Sequence, residues 1–255
     1  YENYVNAIKA REFSEFNDYL ACYQAGVTGR INLSSSQELV FQVANLRSGS
    51  DEDTYAYGLP EGIEKAKVPV LSTMNWNGFF ADNAVQLRYA ASIGQQAKGR
   101  NICYLTAANV YEKGPIVAYL DLMYSREGLD SKGLISNLQG IGTDMPVTAQ
   151  NVEYFTAIAN FDYRIHPNWN VYVKGAYETA RVYKANGPFE KGKYRTAWNA
   201  QACVEYFPMK NSELLIFAHV LYKGYDLTDR ARALGGFCPD KQRFSIGLVY
   251  SIPVF

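Results

Sequence analysis

The sequence has few of the residues that build catalytic and metal sites. It contains two histidines and four cysteines, and the cysteines, Cys22, Cys103, Cys203 and Cys238, lie far apart without CxxC spacing. Zinc sites and thiol redox motifs use closely spaced ligands, so neither has support here. No glycine loop of the kind that cradles phosphates occurs either. We therefore expect no cofactor and no bound metal.

The chain also lacks net charge and long apolar runs. It has 25 lysines and arginines against 25 aspartates and glutamates, so no basic field is present to hold nucleic acid, which is excluded as a partner. No stretch of about twenty apolar residues exists, which argues against a transmembrane helix. A transmembrane β-barrel stays open, because each of its strands needs only about ten alternating residues.

Aromatic residues, in contrast, are abundant, with 21 tyrosines, 13 phenylalanines and 3 tryptophans. Such residues favour pleated, partly buried surfaces. Around His166-Pro167-Asn168-Trp169, residues 154–165 and 171–183 alternate between apolar and polar side chains, the period of two that a half-buried strand requires. A link this short, with Pro and Asn, predicts that the two strands turn back on each other as an antiparallel hairpin.

The same alternation predicts eleven strands and an all-β fold, an up-and-down antiparallel barrel. The connections between them alternate between short and longer ones along the chain. Outer-membrane barrels have tight turns on the periplasmic side and longer loops outside, whereas a soluble sandwich has no reason to segregate loops in this way. The predicted strands cover about 23–31, 38–43, 66–80, 85–93, 101–110, 116–124, 154–165, 171–183, 194–206, 214–222 and 244–254.

One phase of these strands is apolar and the other carries ions and amides. In a soluble barrel the apolar phase fills the interior, but in a membrane barrel it faces lipid and the polar phase faces the lumen. Tyrosines and tryptophans near strand ends suit interfacial girdles. The residues predicted to line the pore are Arg30, Arg88, Asp121, Asp162, Arg164, Lys174, Glu178, Arg195 and Glu205.

Four segments resemble the phosphate-selective porin O/P family of bacterial outer-membrane barrels: residues 11–19, residues 24–29, Asn75-Trp76-Asn77-Gly78 and residues 244–250. The resemblance implies a large barrel of about sixteen strands in the bacterial outer membrane, often trimeric, that serves diffusion of small solutes. The sequence departs from that pattern in two ways. The inward phase mixes both charges instead of presenting a ladder of Lys and Arg, so phosphate selectivity is not carried over. Barrels of this kind tend to end in a Phe that shares the lipid-facing phase, whereas Phe255 is out of phase with Val254 and the apolar residues before it.

The strand count sets an expectation about the domain. We interpret residues 1–255 as a single β-barrel domain, in which 1–19 are an extracellular loop or the start of the barrel and 20–255 hold the strands. Eleven strands ending on the periplasmic side put residues 1–19 outside the cell, whereas single-chain bacterial barrels have even strand numbers. We therefore expect further N-terminal strands and a barrel of 12 to 16.

The function predicted from the sequence is a non-enzymatic outer-membrane porin for passive diffusion of small hydrophilic solutes or ions. Its expected partners are outer-membrane lipid, these solutes, and either further copies in a homotrimer or other outer-membrane proteins. One alternative is a closed barrel that serves as a structural subunit of a larger surface complex, with loop 126–150 folded inward.

An outer-membrane barrel hydrolase is a further alternative. It would use His219 beside a serine, or Asp162 and Glu178 as paired carboxylates for glycoside hydrolysis. Arg164, Lys174 and Lys184 share the face of these carboxylates, so mutual neutralisation in a polar lumen is the simpler interpretation.

Overall fold

The computed structural model describes residues 26–45, 57–140, 143–209 and 214–250, which form one antiparallel sheet of eleven strands in sequence order. The predicted all-β, up-and-down architecture is thus confirmed. Residues 1–19 and Cys22 lie outside the described residues. The strands are β1 Gly26–Ser34, β2 Gln37–Asn45, β3 Val70–Phe80, β4 Val85–Ala97, β5 Arg100–Lys113, β6 Ile116–Leu129, β7 Gln150–His166, β8 Trp169–Val182, β9 Gly192–Tyr206, β10 Leu214–Leu227 and β11 Lys241–Tyr250.

Only two short helices occur in the described ranges, the 3-10 turn Ser136–Leu138 and α1, Asp229–Ala233. No helix there is both long and apolar enough to cross a bilayer.

The connections lie at two distinct ends of the sheet. One end, called here the short-turn end, carries the links 35–36, 81–84, 114–115, 167–168 and 207–213. The other, the long-loop end, carries 46–69, 98–99, 130–149, 183–191 and 228–240. This segregation is the one predicted for an outer-membrane barrel, with a single exception at 98–99.

The exception corrects one sequence-based boundary, because the medium-length link expected over Gln95–Arg100 is a two-residue turn. β4 continues to Ala97, where it forms a bridge to Lys65, and the backbone N–H of Lys98 donates to the carbonyl oxygen of Glu64 at 2.9 Å. Gly99 takes a φ of +70°, which glycine adopts without strain in a tight turn. The first long loop thus supplies the support that keeps β4 extended.

The two faces of the sheet differ sharply in burial. Along β6, Tyr119, Asp121 and Met123 are 4%, 2% and 1% exposed, whereas Leu120 between them is 44% exposed. A single-layer sheet can bury one face only by curving around it or by folding loops onto it, so we call the buried face the inner face. Within the described residues β1 and β11 each pair on one side only, and the sheet is an open curve.

The outer face is apolar over a height that matches a membrane. On β7 it runs from Phe155 to Ile165, eleven residues that span about 34 Å of strand and, at a tilt of about 40°, about 26 Å along a barrel axis. The apolar band of outer-membrane barrels is about 25 Å tall. Exposed apolar side chains elsewhere on this face include Val27, Ile31, Phe41, Met74, Ile93, Leu105, Leu120, Val173, Val204, Ile216, Val220, Phe244, Ile246 and Leu248.

Aromatic pairs border this apolar band, as interfacial girdles do. At the short-turn end the ring centroids of Trp169 and Tyr206 lie 4.6 Å apart and those of Trp76 and Tyr89 lie 5.6 Å apart. Nearer the long-loop end, the rings of Trp198 and Tyr222 lie 5.0 Å apart.

Candidate pore lining and inward loop

The cross-strand register places all nine residues of the predicted lining on the inner face. Neighbouring strands align Arg88 with Ala108, Ala108 with Asp121 and Asp121 with Ile158. Because side chains alternate along a strand, Asp162 and Arg164 share the face of Ile158. The register continues to Lys174 and Glu178 on β8, to Arg195 and Glu205 on β9, and in the other direction to Arg30 on β1.

Three of the nine meet around one cavity of about 40 Å³, enough for a few water molecules. Asp162, Lys174 and Glu205 line it together with two tyrosines and two amide side chains. These are Tyr119, Tyr172, Asn160 and Gln201. The ammonium of Lys174 lies 5.8 Å from the centroid of the Tyr119 ring. The cavity therefore presents two carboxylates, one ammonium and neutral hydrogen-bonding groups.

The other six lie in separate pairs or alone. Glu178 is fully buried and forms an ion pair with Arg195, while the more exposed Arg30 lies 3.3 Å from the carboxylate of Glu38. Arg164 stacks over the Phe207 ring at 4.2 Å and donates to the carbonyl of Pro167, so it belongs to the short-turn rim. Arg88 donates to Gln86. Asp121 lies across from Ala108 in the register.

Sequence reasoning missed four inner-face cations, Arg100, Lys223, Lys241 and Arg243. Lys223 is the most buried of them, at 5% exposure, and lies 4.8 Å from the ring centroid of Tyr225. The signal was present, because Lys223 shares the phase of His219 on β10.

Several buried polar atoms of the inner face have no hydrogen-bond partner in the described part of the chain. They belong to Tyr119, Asp121, Glu178, Arg195, Asn199 and Gln201, all on β6, β8 and β9. Leaving such a group without a partner costs about 1–3 kcal/mol, and more for a charged one. Water in contact with this face would supply partners for these donors and acceptors.

At the long-loop end, the described residues of the segment 130–149, called here the inward loop, fold onto the inner face. The Asp130 carboxylate is the hub of this loop. It accepts hydrogen bonds from the backbone N–H groups of Leu134 at 3.2 Å, Ile135 at 2.9 Å and Ser136 at 2.8 Å, and from two hydroxyls, those of Ser136 at 2.8 Å and Tyr154 at 2.6 Å. Since Tyr154 is on β7, this hub fixes the loop to the wall.

Apolar contacts extend the attachment. Leu134, Ile135 and Leu138 of the inward loop pack in one buried cluster with inner-face residues of β7 and β8. A second carboxylate, Glu127, accepts hydrogen bonds from the Tyr104 hydroxyl at 2.9 Å and the Ser131 hydroxyl at 2.8 Å. The strand residues of the cluster are Val152, Tyr154, Ala180, Val182 and Tyr194.

Residues of two other long loops form hydrogen bonds with the inward loop. The Thr148 hydroxyl donates to the carbonyl of Gly58 at 2.8 Å and accepts from the Tyr57 N–H at 3.0 Å. The Gly140 N–H donates to the carbonyl of Leu234, directly after α1, at 2.8 Å. A Cβ on Gly235 would lie 2.8 Å from the Gly140 Cα, so these two backbones touch.

The residues considered for hydrolysis are only partly brought together. The register places His219 beside a serine, Ser245, with Cys203 on its other side, and His219 Nε2 lies 3.2 Å from Gln201 Oε1. Asp162 faces the cavity that contains Lys174, whereas Glu178 is paired with Arg195. In the described ranges no group of three His, Cys, Asp or Glu side chains is placed to hold a metal.

Comparison with known proteins adds to this geometry. The family model for phosphate-selective porin O and P matches residues 2–252. The chain belongs to this family. Its membership, together with a β-barrel architecture whose apolar face points outward, places the protein in the bacterial outer membrane. Comparison with curated protein sequences gave no match.

Comparison with solved structures matches outer-membrane proteins at low identity. The outer membrane channel DcaP of Acinetobacter baumannii has a TM-score of 0.64 and 14% identity, over 89% of this chain and 62% of DcaP. The OmpT loop L8 deletion mutant of Vibrio cholerae scores 0.49 at 13% identity, over 88% and 62% of the two chains. OccK10 of Pseudomonas aeruginosa scores 0.41 at 10% identity, over 91% and 73%. Only the DcaP likeness carries weight here, and it concerns the fold. The chain spans less than two thirds of DcaP.

Proposed function

We propose that the protein is a passive outer-membrane porin through which small hydrophilic solutes or ions diffuse. The observation that carries the proposal is the reversal of the two faces, with apolar side chains outside and buried polar atoms without protein partners inside. A polar inner surface lowers the cost of moving a hydrated solute across the apolar membrane. Family membership supports the same function.

The lining of the proposed pore is the set of nine residues on the inner face, extended by Arg100, Lys223, Lys241 and Arg243. Charge selectivity in such pores comes from rings of charged side chains and from the pore width. Both signs are present here, since the cavity alone combines Asp162, Glu205 and Lys174. We do not extend the selectivity in the family's name to this chain, and the transported solutes are proposed only as small and hydrophilic.

The proposed barrel is larger than the described sheet and has 12 to 16 strands. Support comes from β1 and β11, each of which has one edge unpaired within the described residues. An open sheet edge within a membrane would leave a row of backbone N–H and C=O groups in hydrocarbon, which costs several kcal/mol for each group. Further strands that pair with these two edges would close the barrel.

Single-channel recording in planar bilayers tests the proposal. The purified protein should give stepwise conductance in a simple salt solution, and the conductance should scale with bulk salt as in a water-filled pore. Complete absence of conductance from correctly folded, heat-modifiable protein would contradict an open pore.

A second candidate, a closed structural barrel, is favoured by one observation, the inward loop that covers the inner faces of β7 and β8. Shortening this loop between residues 134 and 147 separates the two functions. If the intact protein is silent and the shortened one conducts, the barrel is closed by its own loop. Chemical cross-linking in whole cells would then identify whether its partners are further copies or other outer-membrane proteins.

We also propose that the barrel has no enzymatic activity. The support is that His219 is placed beside Gln201 and that Asp162 and Glu178 are held apart by different partners. Phospholipid and glycoside hydrolysis by the wild-type protein, compared with His219→Ala, gives the test. Turnover by the wild-type protein that this substitution abolishes would overturn the proposal.

A further inference from the structure

A row of charged side chains crosses the outer face at the long-loop end. The register aligns Arg126 on β6 with Glu153 on β7, Glu153 with Arg181 on β8, and Arg181 with Lys193 on β9. The row contains three cations and one carboxylate, so its net charge is positive. All four side chains lie on the face that is apolar farther along the same strands.

The carboxylate of this row holds the two guanidiniums side by side. Glu153 Oε2 lies 2.7 Å from Arg181 Nε, and Glu153 Oε1 lies 3.7 Å from Arg126 Nε. The Glu153 side chain is 11% exposed, while those of Arg126 and Arg181 are 52% and 56% exposed. Since each contact uses the Nε side, the outer ends of both guanidiniums are presented to the surroundings.

An aromatic ring and a groove complete the arrangement. The Arg126 guanidinium carbon lies 4.0 Å from the centroid of the Tyr183 ring, which restricts its orientation. Beside it lies a groove with a cavity volume of about 260 Å³, whose polar lining includes Arg126, Tyr183, Asn101 and Asn151. The groove is large enough to hold a chemical group bigger than a single ion.

The position of the row along the strands indicates which layer of the membrane surrounds it. Glu153 is two residues from Phe155, where the apolar band of β7 begins, and Arg126 is two residues from Tyr124. Two residues of strand rise about 7 Å, which from the edge of the hydrocarbon is the depth of the lipid headgroups. At the long-loop end these are the headgroups of the outer leaflet.

We infer that Arg126, Arg181 and Lys193 form a binding site for the phosphate groups of an anionic outer-leaflet glycolipid. Guanidiniums bind phosphate through paired, charge-assisted hydrogen bonds, and a neighbouring ammonium adds a point charge. The groove beside Arg126 would take the adjoining sugar through its amide and hydroxyl groups. This inference rests on the membrane placement of the proposed porin and not on its conduction.

The test measures binding of the purified protein, reconstituted in uncharged phospholipid vesicles, to lipid A with both phosphates and to its fully dephosphorylated form. We expect the wild-type protein to prefer the phosphorylated form by about tenfold or more, the size of effect that paired charged hydrogen bonds give. The variant Arg126→Gln/Arg181→Gln/Lys193→Gln should lose that preference. The matched control Lys67→Gln/Lys98→Gln/Arg232→Gln removes three exposed cations of the same end and should retain it.

Two further measurements complete the test. Glu153→Gln removes the anion that competes for both guanidiniums, so it should strengthen binding of phosphorylated lipid A by about twofold or more. This variant tests the site independently if the triple variant fails to fold. Inorganic phosphate at millimolar concentration should displace the lipid only weakly, and full displacement would indicate a site for free phosphate instead.

The inference is overturned if the wild-type protein binds both lipid forms equally, or if the triple variant keeps the wild-type preference. Single-channel conductance recorded on the same preparations separates the two ideas. Loss of the lipid preference in the triple variant with unchanged conductance supports the lipid site. Absent conductance in a wild-type protein that keeps its lipid preference contradicts only the proposed porin function.

Discussion

Single residues decide the electrostatics of the proposed pore lining. Lys174 is 4% exposed and lies in the cavity that also contains Asp162 and Glu205. Water-filled pores are sensitive to one buried charge, because charges inside a narrow pore are screened less than charges on an open surface.

Charge reversal at Lys174 should therefore change ion selectivity. In Lys174→Glu we expect the cation-over-anion permeability ratio to rise by about two- to fivefold, since a positive charge is replaced by a negative one at the lining. Reversal potentials under a salt gradient measure this ratio. Lys113→Glu, an equal charge change at the exposed end of β5, is the control and should leave the ratio unchanged. Equal effects of both substitutions would show that the cavity is not on the ion path.

Asp130 is the residue on which the inward loop depends. Its carboxylate accepts five hydrogen bonds and is fully buried, so Asp130→Ala removes several charge-assisted contacts at once. We expect the loop to open more easily by about 3 kcal/mol, which corresponds to roughly 100-fold faster proteolysis within 130–149. Limited proteolysis followed by mass spectrometry measures the change.

The control for this prediction is Asp144→Ala, an exposed carboxylate in the same loop. It should leave the proteolysis rate within about twofold, as expected of surface substitutions. Unchanged proteolysis in Asp130→Ala would show that the apolar cluster alone holds the loop.

At the scale of elements, strands and loops differ in how far their structure could be predicted. The phase of β7 to β11 follows from the sequence because one face meets lipid and the other meets polar groups, which imposes a period of two. The alternation is weaker on β5, because its inner face bears the buried apolar side chains Ile102 and Tyr104. The boundary at Gln95 was misplaced because Lys98 and Ala97 are held by another loop. Contacts between loops leave no periodic signal.

The same reasoning applies to the candidate site. The face of each lining residue followed from the alternation, but which residues meet did not. The grouping of Asp162, Lys174 and Glu205 depends on the register between three strands, and that register is set by turn geometry and side-chain packing across the sheet. The inward loop was considered only from its length, and its anchor, Asp130, has no local sequence signature.

The contact between two loops at Gly140 and Gly235 leads to a prediction for these elements. Gly235 has a φ of +88°, and a Cβ there would lie 2.8 Å from the Gly140 Cα. Gly235→Ala should therefore destabilise the joined loops by about 2–3 kcal/mol, combining backbone strain with a steric clash. Hydrogen exchange of amides 228–240 measures it.

Gly62→Ala is the matched control for that measurement. Gly62 has a similar φ of +77°, but a Cβ there meets only open space. The control should cost about 1 kcal/mol from the backbone term alone. Equal effects at both glycines would mean that the loop contact contributes nothing.

The whole molecule is defined by its reversed faces, and adjacent residues on β7 test that reversal. Ala159 faces outward near the middle of the apolar band, while Asn160 lines the inner cavity. Ala159→Arg should lower the free energy of unfolding by about 2–4 kcal/mol, the cost of a cation at mid-depth on the lipid face.

Asn160→Arg places the same side chain one residue along, facing water, and should cost less than about 1 kcal/mol. Urea unfolding in lipid vesicles, followed by tryptophan fluorescence, compares the two. If Asn160→Arg lowered the free energy of unfolding more than Ala159→Arg, Asn160 would face lipid and Ala159 the inner side, contrary to the assignment made here.

The pairing of every strand with its neighbours in sequence has a consequence for how the molecule assembles. Every pairing joins strands that are adjacent in sequence, even across the longer links 46–69 and 130–149, and loop-closure entropy rises only slowly with link length, so the sheet can grow one strand at a time. The Asp130 carboxylate, however, needs the hydroxyl of Tyr154, which is in position only after β7 has joined β6. The inward loop therefore completes its docking only once β7 has joined β6, so its attachment follows the formation of this part of the wall.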